Sequence, residues 1–192
     1  MKIVFATHNK NKFLEVKNAL PEGIELLNLT DIECFEDIAE TGTTLKENAA
    51  IKADYVFENY KYPCFSDDTG LEVQALNGAP GVYSARFAGK NATDADNRVK
   101  LLEDLEGAEN REACFKTVIA LRLNATEIHY FEGLCCGDIL EEERGDQGFG
   151  YDAIFQPEGY DISFAEMDLA EKNRISHRGR AVKDLVEFLK TI

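Results

Sequence analysis

Short apolar runs with strand character alternate with amphipathic runs of helical period through the first half of this 192-residue chain. Two long strand-like runs then follow back to back. That order constrains the fold more than any other feature. Alternation asks for strands joined by helical crossovers, which pair in parallel, and a late hairpin adds antiparallel pairing. The expected fold class is α/β, with a mixed central sheet flanked by helices.

The elements can be placed one by one. Lys2 to Thr7 reads as a strand. Asn9 to Leu20 reads as a helix, with Phe13, Val16, Ala19 and Leu20 at helical spacing and Pro21 and Gly23 closing it. Ile24 to Leu29 is a second strand. Thr43 or Thr44 caps the next helix, and Glu47 stands three residues past Thr44, as a capping box requires. Pro63 to Ser66 reads as a strand that runs into an acidic turn at Asp67-Asp68. Leu71 to Leu76 is a further short strand, and Gly78 to Gly81 is a turn. Thr93 to Leu105 is a helix. Ala113 to Leu123 and Glu127 to Leu140 are strands joined at Asn124 to Thr126. Gly145 to Gly150 is a glycine-bearing loop, and Ser163 and Ser176 are candidate caps for the closing helices. No repeat, low-complexity stretch or linker interrupts the chain, so a single domain over 1–192 is expected.

Composition narrows the function. The chain is 44% hydrophobic, enough for a full core, yet no apolar run is long enough to span a membrane. The opening MKIVFATHNK is too short in its apolar part for a signal peptide, so a cytoplasmic protein is the expectation. With 21 Lys and Arg against 36 Asp and Glu, the formal charge is −15. A chain this acidic is a poor candidate for holding a nucleic-acid backbone. A small anionic ligand needs only a local cluster of cations, a helix N-terminus or a metal. Cys34, Cys64, Cys114, Cys135 and Cys136 make an odd count with no C-x-x-C spacing. Neither a zinc site nor a disulfide framework follows, and all five are read as ordinary thiols. Cys135 and Cys136, adjacent in a strand, should face opposite sides of the sheet.

Several segments carry residue types that core packing does not ask for. Thr7, His8, Asn9, Lys10, Asn11 and Lys12 sit where a strand turns into a helix, a geometry that presents backbone N–H groups to phosphate. A plain helix cap with solvated lysines is the competing reading. The segment is not a Walker A loop, because the glycine pattern is missing. Asp67, Asp68 and Thr69 follow an apolar strand; adjacent aspartates point different ways, so one is expected to face a site. Magnesium favours one or two carboxylates together with waters and phosphate oxygens. Glu40 is a candidate second ligand, with a favourable place near a helix dipole as the alternative, and Lys52 is a candidate phosphate contact or a surface lysine. Phe149, Gly150, Tyr151 and Asp152 offer a ring for stacking and a carboxylate for a base edge, or else a strand core with a glycine bulge. Lys172, His177 and Arg178 lie further on, and Arg178 brings a planar donor. His129 is assigned no role. Together the segments point to a magnesium-dependent nucleotide hydrolase.

Six motifs in order then resemble one family: T-x-N-x-x-K (Thr7, Asn9, Lys12), E-T-G-T-T…N-A (Glu40 to Ala49), S-D-D-T-G-L (Ser66 to Leu71), G-A-P-G-V-Y-S-A-R-F-A-G (Gly78 to Gly89), F-G-Y-D (Phe149 to Asp152) and S-H-R-G-R-A (Ser176 to Ala181). The chain is similar over nearly its whole length to the inosine/xanthosine triphosphate pyrophosphatases, which remove non-standard purine nucleotides. The resemblance implies an elongated mixed sheet, two lobes with the nucleotide cleft between them, and a homodimer. It implies hydrolysis of a nucleoside triphosphate to the monophosphate and pyrophosphate with magnesium. It assigns Asp68 as general base and metal ligand and Glu40 as the second metal-binding acid. Thr7 to Lys12, Lys52 and Thr69 would hold the triphosphate. Phe149 to Asp152, Lys172, His177 and Arg178 would enclose base and ribose. Two positions depart from the pattern: Thr69 stands where many relatives have serine, and Ala153 where a proline is common.

The chemistry suits those residues. A donor such as Arg178 would pair with the carbonyl at purine position 6 and oppose the amino group of adenine. Arg178→Ala should then erode the preference for ITP over ATP more than it slows catalysis. The competing functions are a pyrophosphatase for other modified nucleotides and a non-catalytic nucleotide sensor.

Overall fold

A computed structural model of the protein describes residues 1–191. Strands β1 (Lys2–Phe5), β2 (Glu25–Leu27), β3 (Cys64–Val73), β4 (Pro80–Gly81), β5 (Glu112–Arg122), β6 (Ile128–Ile139) and β7 (Phe155–Pro157) form one mixed sheet in the order β2-β1-β3-β5-β6-β7, with β4 paired to β3. The helices are α1 (Lys10–Ala19), α2 (Leu45–Tyr60), α3 (Asp94–Asp104), α4 (Leu169–Ile175) and α5 (His177–Leu189). The mixed α/β class read from the sequence is the one observed. Among the described residues no helix is long and apolar enough to cross a membrane.

The chain divides into two compact units. The first comprises Met1–Asp68, Thr117–Gly133 and the chain from Arg178 onward; the second comprises Thr69–Lys116 and Leu134–His177. In the first, β1 pairs in parallel with β2 (Lys2↔Glu25, Val4↔Leu27) and with β3 (Val4↔Cys64, Phe5↔Phe65). Side chains on a strand alternate between faces, and the two faces have different coverings. Ile3, Phe5, Phe65, Ile119 and Leu121 pack with Val16 of α1 and with Ala181, Val182 and Leu185 of α5. Val4, Ala6, Cys64 and Ala120 pack with Ala49, Ala53 and Val56 of α2. The rings of Phe5 and Phe65 stack at 4.7 Å between centroids. Each fully buried ring of this size stabilises the fold by about 1.5–3 kcal/mol.

In the second unit β3 pairs antiparallel with β4 (Leu71↔Gly81, Glu72↔Pro80) and β6 pairs antiparallel with β7 (Gly137↔Pro157, Ile139↔Phe155). Its core joins Leu71, Leu101, Leu105, Phe115, Phe155 and Phe164.

The structure corrects several expectations. Asp67 and Asp68 lie inside a ten-residue strand and not in a turn after it. The expected strand from Leu71 is the end of that same strand, and Gln74–Leu76 is a 3₁₀ turn. An acidic pair reads as loop when its partners are invisible; here nearby cations let it stay in a buried strand. The strand expected over Ile24 to Leu29 shortens to Glu25–Leu27, because Asn28 and Asp31 exchange backbone-to-side-chain bonds of 2.8 and 3.0 Å that close a turn. Phe149 to Asp152 is neither strand nor bulge but a turn that enters a 3₁₀ helix, Asp152–Ile154. The cysteines are not all thiols. Cys114 of β5 and Cys136 of β6 form a disulfide with Cα atoms 4.0 Å apart. Adjacency across a sheet decided this, and spacing along the chain does not report it. Cys34, Cys64 and Cys135 are thiols.

Candidate active site

The junction of β1 and α1 is built as a cap. Asn9 Oδ1 accepts from the backbone N–H groups of Asn11 (2.9 Å) and Lys12 (3.0 Å), and Thr7 Oγ1 accepts from the N–H of Asn9 (3.1 Å). Two opening donors of α1 are therefore already satisfied by its own side chain. The His8 ring nitrogen Nε2 lies 3.1 Å from the carbonyl of Glu36. Lys10 and Asn11 are exposed, whereas Lys12 turns inward.

Strand alternation then separates the two aspartates of β3, as the sequence leads one to expect. Asp67 shares the side of Phe65, toward α1 and α5. Lys12 Nζ donates to Asp67 Oδ1 (3.0 Å), Arg178 Nε donates to Asp67 Oδ2 (2.8 Å), and Arg178 Nη1 donates to Glu15 Oε2 (2.5 Å). Two cations and two carboxylates make this buried group balanced. Burial raises the Asp67 carboxyl, but Lys12, Arg178 and Lys52 overcome it and hold the group below the ordinary carboxylate range. Burial pulls the Lys12 ammonium down, against the pull of Asp67. The Arg178 guanidinium stays charged: its two acids outweigh the cost of burial and raise it.

Asp68 shares the side of Cys64 and Ser66, toward α2. The Ser66 hydroxyl donates to the carbonyl of Ala49 there. Helix α2 opens with the expected capping box between Thr44 and Glu47, and Asn48 and Lys52 of that helix meet Asp68. Asn48 Nδ2 donates to Asp68 Oδ2 (3.2 Å), and Lys52 Nζ lies 3.8 Å from Asp68 Oδ1 and 2.6 Å from Glu40 Oε1. Two carboxylates face one ammonium. Burial raises the Asp68 carboxyl, Lys52 opposes that, and Glu40 adds to it; the balance lies above the ordinary aspartate value. Burial would lower Lys52, yet Asp68, Glu40 and Asp67 raise it. No group of three or more His, Cys, Asp or Glu side chains among the described residues is arranged to hold a metal. The two carboxylates that converge on one cationic group fit a magnesium ion whose other ligands are water and phosphate oxygens.

The second unit brings together another set. Lys172 Nζ donates to Asp152 Oδ2 (2.6 Å) and lies 4.9 Å from the centre of the Phe149 ring. The same Asp152 oxygen accepts from the backbone N–H of Phe149 (2.8 Å). Gly148 has φ +75°, and a Cβ there would stand 2.2 Å from Asp152 Oδ2, so glycine is required for the turn to close on its carboxylate. The Gly150 N–H donates to Asp94 Oδ2 (2.7 Å), and the Tyr151 hydroxyl donates to the carbonyl of Ser84 (2.8 Å). Tyr151 is thereby an anchor of the turn. The His177 ring stacks on Phe115 at 4.5 Å. Thr69 is half-buried at the first position of this unit.

The structure therefore gathers Lys12, Asp67 and Arg178 in one cluster, Glu40, Lys52 and Asp68 in a second, and Phe149, Asp152 and Lys172 in a third. Sequence reasoning missed three members. Glu15 stands three residues beyond Lys12 on the inward face of α1, where a glutamate beside Val16 is a signal in itself. Asp67 has no sequence signal that separates it from Asp68, since its partners are distant in the chain. Asn48 was noticed only as part of a motif.

Residues 3–188 match the Ham1 family. The chain belongs to the Ham1 family. A Christiangramia forsetii protein named dITP/XTP pyrophosphatase is 60% identical over 189 residues, covering 98% of this chain and 99% of that protein. A Porphyromonas gingivalis protein of the same name is 52% identical over 98% of this chain and 97% of its own length. Among solved structures, a HAM1 protein from Coxiella burnetii has a TM-score of 0.91 at 43% identity, with all of both chains covered.

Proposed function

We propose that this chain hydrolyses non-standard purine nucleoside triphosphates (ITP, dITP and XTP) to the monophosphate and pyrophosphate, clearing them from the nucleotide pool. One observation carries the reading: Glu40 and Asp68 converge on Lys52 in a chain 60% identical to a protein named dITP/XTP pyrophosphatase.

In this proposal Asp68 takes the proton of the water that attacks the α-phosphorus, in line with the departing pyrophosphate. Its raised carboxyl suits a base, since a weaker acid holds a proton better. Lys12 and Lys52 offset phosphate charge, and the Thr7 to Asn11 turn and Thr69 take the remaining phosphate oxygens. Glu40 and Asp68 would hold magnesium, which would neutralise charge on the phosphates. Phe149 supplies the stacking ring, and Lys172 and Asp152 supply a donor and an acceptor for base and ribose. Gly150, Tyr151 and His177 shape that end. Arg178 already serves two carboxylates; a purine 6-carbonyl would be a further acceptor for its five-donor group. The family resemblance also carries a homodimer, which sedimentation tests.

The test is pyrophosphate release with magnesium from ITP, XTP, dITP, ATP, GTP and CTP at one concentration. Fast release from the first three and little from the rest is expected, with turnover lost in a chelator. Release from all six would keep the chemistry and overturn the base selection. No release from any, in a folded protein that binds nucleotide, would make a sensor of it.

A further inference from the structure

We infer that Asn48 is a positioning residue, fixing which oxygen of Asp68 is presented for catalysis. The inference rests on the hydrolysis reading and adds a residue to it.

Asn48 is fully buried on the first turn of α2. Its two polar atoms have distinct partners. Oδ1 accepts from the backbone N–H of Gly42 at 2.8 Å, and Nδ2 donates to Asp68 Oδ2 at 3.2 Å. The amide cannot be reversed without loss, because a backbone N–H only donates and an ionised carboxylate only accepts. Gly42 thus sets the amide, and the amide sets the carboxylate. Asp68 Oδ2 is turned toward Asn48, which leaves Oδ1 as the oxygen on the side of Lys52. The close approach needs glycine at 42. A Cβ there would stand 2.7 Å from Asn48 Oδ1 and 2.6 Å from Glu47 Cβ.

The helix register completes the arrangement. Asn48 and Lys52 are four residues apart, so they lie one above the other on one face of α2. One holds Asp68 by Oδ2 and the other faces Oδ1. The capping box at Thr44 and Glu47 fixes where that face begins, since Glu47 also accepts from the N–H of Thr43 (2.7 Å) and of Thr44 (3.1 Å). The stretch from Gly42 to Lys52 therefore acts as a bracket for a single carboxylate. Displacing a reacting group by about 1 Å costs on the order of 10²-fold in rate.

A four-protein cycle tests this: wild type, Asn48→Ala, Asp68→Asn and the double variant, each assayed for pyrophosphate release from dITP and for thermal unfolding. Asn48→Ala should lower kcat about 10- to 10²-fold while KM stays within about threefold. In the Asp68→Asn background the same change should alter the residual rate by less than about threefold, because a residue acting through Asp68 has nothing left to position. Equal losses in both backgrounds would overturn the inference and make Asn48 a structural residue. If Asn48→Ala does not fold, Asn48→Leu carries the same cycle: it keeps the volume and removes the donor to Asp68. If neither folds, the positioning role is lost to a structural one. A wild-type protein that releases no pyrophosphate overturns the hydrolysis reading, and the inference with it, before any variant is compared.

Discussion

Asp67 and Asp68 are neighbours on one strand, are both buried, and have opposite electrostatics. Around Asp67 the charges close on themselves: Lys12 and Arg178 against Asp67 and Glu15. Around Asp68 a second acid enters: Lys52 and Lys12 lower its carboxyl, while burial and Glu40 raise it. The first cluster has the charge balance of a framework. In the second, burial together with Glu40 outweighs the neighbouring ammonium groups, so the carboxyl is held above the ordinary aspartate range. A perturbed carboxylate in such a setting is the usual mark of a functional position. The lesson is that two buried neighbours shift in opposite directions according to whether the charges around each outweigh the cost of its burial.

The largest expected effect breaks the comparison on the Asp68 side. Asp68→Asn should lower turnover about 10²–10⁴-fold or more while the protein stays folded. Its stability without metal should hold or rise. An acid whose folded pKa lies above its unfolded one destabilises the fold at neutral pH, and that penalty fades as pH falls through the folded value and is gone below the unfolded one. Pyrophosphate release and a thermal melt in chelator at neutral pH check both halves. Near-normal turnover would remove Asp68 from the mechanism.

The second variant attacks the other side. Asp67→Asn leaves Lys12 and Arg178 buried without their shared carboxylate and should cost about 3–5 kcal/mol of stability, as removing one member of a buried pair does. The pH dependence follows with the opposite sign. The folded pKa of Asp67 is depressed, so its contribution is full above the unfolded value and is lost as pH falls through the folded one. Urea unfolding of wild type and variant from neutral to acid pH should show the gap narrowing as acid is added. A gap independent of pH would mean that shape, not charge, holds this cluster.

How much of this was legible follows from distance along the chain. The α2 bracket is local: Thr44, Glu47, Asn48 and Lys52 lie within one helix start, and the capping box was read directly. The cap at Asn9 was legible for the same reason. Asp67 was not, since its partners stand 55 and 111 residues away, and Glu15 meets Arg178 across 163. A single sequence reports no such pairing. The same blindness turned a buried strand into a turn at Asp67-Asp68 and hid the Cys114–Cys136 bond between neighbouring strands. Arg178 is the sharpest case. The sequence offered it as a reader of the base, whereas the fold first commits two of its nitrogens to carboxylates.

The smallest predicted effect decides whether Glu15 belongs to the framework. Glu15→Gln keeps the length and an oxygen that accepts from Arg178, yet removes one of the two negative charges. The cluster then holds two cations against Asp67 alone. A charged hydrogen bond becomes a weaker neutral one, and a loss of about 1–2 kcal/mol is expected, with turnover on dITP nearly unchanged. Chemical unfolding and initial rates on the same preparation separate the outcomes. If turnover falls by more than about tenfold while stability holds, the boundary between the clusters is misplaced: Arg178 would then serve the reaction directly, and Glu15 would tune it. If stability falls and turnover holds, Glu15 belongs to the framework that holds Arg178 and Asp67 in place, and it takes no part in the chemistry.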